Sequence, residues 1–210
     1  MAPTGFSPSL CGYGPPMEIG RLVARTVIGG LFIGHGTQKL FGWFGGPGLA
    51  GTEQMMGALE MRPTRANAVA AGLSEAAGGA LLVAGAATPL AASSLIGTML
   101  TAIRKVHQPK GVWAAQGGWE YNAVLIAALV ALVDAGPGDL SVDAALGRRE
   151  WGAGWALGGL ALGAAASATA ITLGRHGATE QVAASPSDGT IAAATKDETV
   201  GDPVTRDAES

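Results

Sequence analysis

Among the side chains that can exchange protons or hydrogen-bond to carbonyl oxygens, seven fall within or at the ends of apolar stretches where they could act together: His35, Gln38, Lys39, Glu75, His107, Glu120 and Tyr121. Glu75 is the most informative, because no other ionisable residue occurs between Ala66 and Ile103. In a helix starting near Ala66, its α-carbon lies roughly 13 Å from the helix start, close to mid-bilayer if that helix spans a membrane. A charge there costs about 2.5 to 3.5 kcal/mol on insertion scales. Glu75 must therefore hold its proton or be matched by a cation. Arg25, roughly 9 Å in from the other side, is the expected charge-pair partner; Lys39 and Arg104 are alternatives. A buried pair that merely sets helix register is the competing role. The other six gather at one end of the expected bundle, where His35 and Lys39, four residues apart, share a helix face. Together they can hydrogen-bond the two carbonyl oxygens of a quinone and exchange protons on its reduction. Glu75, His35 and Lys39 are the candidate catalytic groups. Gln38, His107, Glu120 and Tyr121 complete the candidate binding set, and anchoring to lipid headgroups is the alternative use of such residues.

These groups must be positioned by apolar helices. Hydrophobic residues make up 48% of the chain and charged residues only 14%. Mean hydropathy is +0.32. Helices are expected over 18–40, 66–87, 90–106 and 119–135, with a further one over 151–173. The glycine-rich stretch 41–65 reads as a loop without regular structure, and Gly136-Pro137-Gly138 stops the fourth helix. Residues 1–17 read as a flexible segment, 18–147 as a four-helix transmembrane domain, 151–173 as an extra transmembrane helix and 175–210 as a disordered polar tail. The fold class is thus an all-α membrane protein: a four-helix transmembrane bundle plus a fifth span. Phe41, Trp43, Phe44, Trp113, Trp119 and Tyr121 form an aromatic belt on one side, with Trp151 and Trp155 on the other. Lys and Arg favour the first side, which the positive-inside rule places in the cytoplasm. Gly154/Gly158 and Gly159/Gly163 permit close helix approach, hence a homo-oligomer contact.

Several chemistries lack their signatures. The chain has one cysteine, Cys11, so no CxxC pair exists. No HxxxH, HExxH or paired-Cys spacing argues for metal, and no flavin motif is present. Gly46-Pro47-Gly48-Leu49-Ala50-Gly51 matches GxGxxG, but that pattern carries meaning only between a strand and a helix. A net charge of −3 with no basic stripe excludes nucleic acid as an expected partner.

The run His35-Gly36-Thr37-Gln38-Lys39-Leu40-Phe41-Gly42-Trp43-Phe44-Gly45-Gly46-Pro47-Gly48-Leu49 strongly resembles the signature of the DoxX family of small bacterial membrane proteins. The likeness continues through Gly72, Glu75 and Gly79, Thr88-Pro89-Leu90-Ala91, Val106-His107, Gly117 to Asn122, and Gly136 to Asp143. It covers about 20–146, with Arg25 at the family's arginine position. The resemblance implies a four-helix transmembrane bundle in the plasma membrane. It also implies kinship with the membrane subunits of thiosulfate:quinone oxidoreductase, and partnership with soluble redox or thiol-metabolising proteins. The expectation is a redox-associated membrane subunit with a quinone-type pocket. The alternatives are a non-catalytic scaffold that anchors a soluble oxidoreductase, and a small-solute or proton pathway through Glu75.

Overall fold

A computed structural model describes residues 18–184, and among these residues there is no strand. Helix α1 runs Glu18–Phe41. After a tight turn come α2 at Gly48–Ala58 and α3 at Thr64–Ala84. Helix α4 spans Thr88–Ala102 and passes directly into a π-type turn, Ile103–His107. Helix α5 is Glu120–Ala135, α6 is the single turn Val142–Ala145, and α7 is Gly152–Ala184. Both α3 and the stretch Gly152–Thr179 of α7 are long and apolar enough to cross a membrane.

Two expectations change. The stretch 41–65 is not irregular throughout, because it contains α2. Left-handed glycines at 42, 45 and 48 confine the turn to its first part. From Leu49 onward the residues are mostly good helix formers. Thr52 ties the new helix to the end of α1, its hydroxyl donating to Lys39 O at 3.1 Å. The second change concerns the tail, whose helix continues ten residues beyond Gly174, to Ala184. Gly174 and Gly177 let α7 lie against Met61 and Arg62, and Arg62 N–H donates to Gly174 O at 3.2 Å. That packing holds in a helix a stretch whose polar composition suggested disorder. The rest of the expected tail, 185–210, and residues 1–17 with Cys11, fall outside the described residues.

The buried stripe of α1 reads Arg25, Gly29, Phe32, Gly36, alternating steps of four and three as in a helix–helix seam. Helix α3 answers with Gly72 and Gly79. A β-carbon on Gly29 would sit 2.6 Å from Gly79 O, and one on Gly36 would sit 2.6 Å from Gly72 O. The two backbones therefore touch, in the manner of small-residue packing inside membranes. This antiparallel pair has the most extensive contact in the bundle, followed by α4 with α7. Helix α4 is central: Leu95, Ile96 and Met99 join Phe32, Leu82, Leu129 and Val133 in one buried core. The Gly159/Gly163 face of α7 is occupied within the chain, by Ser93 and Ile96 of α4, whereas Gly154 and Gly158 have nothing within 4 Å.

Candidate functional site

Helices α1, α2, α3, α4 and α7 enclose a chamber of about 410 Å³. Its polar pole is an ion pair between Lys39 Nζ of α1 and Glu75 Oε2 of α3. Glu75 is only 3% exposed. The antiparallel α1–α3 register leaves the lysine within reach of the carboxylate along the seam. Gly29 faces Gly79, and Gly36 faces Gly72, so the last turn of α1 meets the neighbourhood of Glu75. By the same register, Arg25 falls opposite Gly85, roughly 15 Å along α3 from Glu75.

Arg25 is therefore not the partner of Glu75. Its guanidinium packs on Gly85, where a side chain would collide with it. It donates to Pro137 O and, at 2.7 Å, to Leu140 O. Arg21, one turn earlier, donates to Ala135 O at 2.7 Å. Arg21 thus caps the carbonyl end of α5, where a helix dipole favours cations, and Arg25 holds the loop that follows it. Beside them, buried Asp143 accepts from Ala87 N (2.8 Å), Thr88 N (2.9 Å), Thr88 Oγ1 (2.8 Å) and Trp151 Nε1 (3.3 Å). It supplies from afar the cap that Ala87 cannot give α4. Burial alone would raise its pKa, but these hydrogen bonds outweigh burial and hold it below the usual carboxylate value.

The chamber wall is mostly apolar. Met55, Met56, Leu59 and Met61 come from α2 and the turn after it, and small residues of α3, α4 and α7 complete the wall. The hydroxyls there serve helix carbonyls: Thr98 donates to Ser94 O at 3.1 Å and Thr101 to Gly97 O at 2.9 Å. The π turn brings in Lys105 and His107; such widened turns are frequent at functional sites. His107 Nδ1 lies 2.7 Å from Gly117 O. A carbonyl only accepts, so Nδ1 carries the hydrogen, and a neutral ring leaves Nε2 as acceptor.

Of the sequence candidates, the chamber unites Glu75, Lys39 and His107 and excludes four. His35 is exposed, because it sits one residue, hence about 100°, off the buried stripe that includes Gly36. Gln38 is half-buried beneath Gly46, whose backbone presses on it. Glu120 turns to the loop and accepts from Ala114 N at 2.9 Å. Tyr121 is half exposed on the outer side of α5. Sequence reasoning did not count Lys105 among the candidates and overlooked Met55, Met56 and Met61. A π turn has no sequence signal of its own, and α2 lay in what read as a loop. Among the described residues no cluster of three His, Cys, Asp or Glu side chains could hold a metal ion.

Residues 20–108 match the model of the DoxX family. No curated protein matches the chain, nor does any solved structure. The matched span contains every chamber residue except Ala166 and Ala170 of α7. Over that span the chain carries a domain of the DoxX family, a family of membrane proteins.

Proposed function

We propose that this protein is a multi-pass protein of the plasma membrane, crossing it with α1, α3, α4, α5 and α7, and that its chamber binds a quinone head group in the service of a redox reaction. The observation that carries this reading is a carboxylate–ammonium pair set in the wall of an otherwise apolar chamber of about 410 Å³. Small-molecule sites are commonly about 300 to 1,000 Å³, with a few polar groups in an apolar lining. Lys39 donates to one carbonyl oxygen. Glu75 and Nε2 of His107 accept from the hydroxyls of the reduced form. Thioether side chains give the wall on the α2 side the adaptability to close over a ring. Reduction of a quinone to the quinol takes two electrons and two protons. Glu75 and His107 pass the protons, and a soluble redox or thiol-metabolising partner supplies the electrons. Kinship with the membrane subunits of thiosulfate:quinone oxidoreductase fits this role.

A scaffold without a ligand is expected to have a packed core beside Glu75, and the chamber favours the ligand-binding reading over it. The test is titration of purified protein in nanodiscs with short-tailed ubiquinone and menaquinone analogues. One saturable site is expected. Ala71→Trp, which fills the chamber, should abolish binding, and Glu75→Gln should weaken it by roughly tenfold, the effect of one modest hydrogen bond. Wild-type protein that binds neither head group overturns the reading.

A further inference from the structure

The π turn sends consecutive cations to different places. Arg104 donates to Gln108 Oε1 at 3.1 Å, and both line a separate cleft of about 980 Å³ between α4, α5 and α7. Lys105 instead lines the chamber with Lys39, Glu75 and His107. Lys39 and Glu75 neutralise one another. Lys105 makes no hydrogen bond or ion pair among the described residues, and it is half-buried. The Lys105 ammonium therefore lines a mostly apolar chamber with no counter-ion among the described residues. Such a charge is stabilised only by an anion or by water. No carboxylate other than Glu75 lines the chamber, and Glu75 is held by Lys39.

We propose that the chamber selects a lipophilic ring carrying one ionised oxygen over its neutral counterpart, and that Lys105 is the residue that makes the selection. This rests on the quinone-type reading of the chamber and adds the charge state of the ligand to it. Recognition requires that the ionised oxygen lie toward the π turn that carries Lys105.

The probes are 2-hydroxy-1,4-naphthoquinone, an anion at neutral pH, and its neutral 2-methoxy ether. Each is titrated into the full-length protein in nanodiscs of zwitterionic lipid. Wild type is expected to favour the anion by roughly tenfold. In Lys105→Met the preference falls to within about twofold while affinity for the ether persists, which reports an intact chamber. Lys105→Arg keeps the preference, and Lys110→Met, outside the chamber, leaves it unchanged. Equal affinity of wild type for the two probes overturns the proposal while leaving the quinone reading in place. A preference that survives in Lys105→Met does the same. Loss of both probes in Lys105→Met and in Lys105→Gln assigns the residue to the fold and also overturns the proposal. Wild type that binds neither probe nor the quinone analogues removes both readings together.

Discussion

Glu75 was legible as the residue that matters, because a lone carboxylate in an apolar stretch demands an explanation from any fold. Its partner was not legible. Depth from each helix end made Arg25 and Lys39 comparable candidates, and what separates them is that Gly85 and the carbonyls of Pro137 and Leu140 hold the Arg25 guanidinium elsewhere. The pair makes a testable claim about stability. Glu75→Gln leaves Lys39 without its anion, and unfolding should become easier by about 2 to 3 kcal/mol, below the range for a wholly dry pair because Lys39 is partly exposed. Adding Lys39→Met to it should recover part of that loss, and a double-mutant cycle in detergent unfolding measures the coupling. Asp143 gives a pH-dependent counterpart. Its folded pKa lies below the ordinary 3.8, so its contribution is complete above that value and is lost as pH falls through the lower folded value. Asp143→Asn, which turns an amide donor towards the N–H groups of Ala87 and Thr88, should cost about 2 kcal/mol at neutral pH and flatten the acid limb of the stability curve.

At the scale of elements, apolar length and proline or glycine stops located five long helices to within a few residues at most of their ends. The exception is α7, whose polar end is held helical by Met61 and Arg62. The short α2 was hidden because four glycines from Gly42 to Gly48, with Gly51 after them, read as one long loop. His35 shows the limit of spacing arguments: four residues from Lys39 it shares a face in outline, yet the stripe that α3 covers passes through Gly36. That stripe predicts an asymmetry among the glycines of α1. Gly36→Ala must push into the backbone of α3 and should cost about 1 to 3 kcal/mol. Gly34→Ala and Gly30→Ala meet nothing within 4 Å and should be neutral or mildly stabilising, since alanine favours the helix. Thermal unfolding of the three variants decides it; equal effects would mean that α1 and α3 do not pack backbone to backbone.

For the whole molecule, the boundary between recognised domain and added helix is not a boundary between function and ornament. Ala166 and Ala170 of α7 close the chamber, and Ala156 joins the buried core. Helix α5, by contrast, lends it no side chain and contributes Leu129, Leu132 and Val133 to the buried core. Sequence reasoning ranked the two the other way, because α7 is built of alanine and glycine and lies beyond the stretch, about 20–146, that resembles the DoxX signature. The account therefore makes a claim about place as well as about ligand. It stands against the larger cleft between α4, α5 and α7, which is apolar and roomy but lacks the Lys39–Glu75 pair. Photolabelling the protein in nanodiscs with an azido-quinone and mapping the modified peptides compares the two sites directly. Label on 55–61 and 70–75, competed away by unlabelled quinone and absent in Ala71→Trp, is the predicted result. Label confined to 119–131 and 153–160, unaffected by Ala71→Trp, would contradict it.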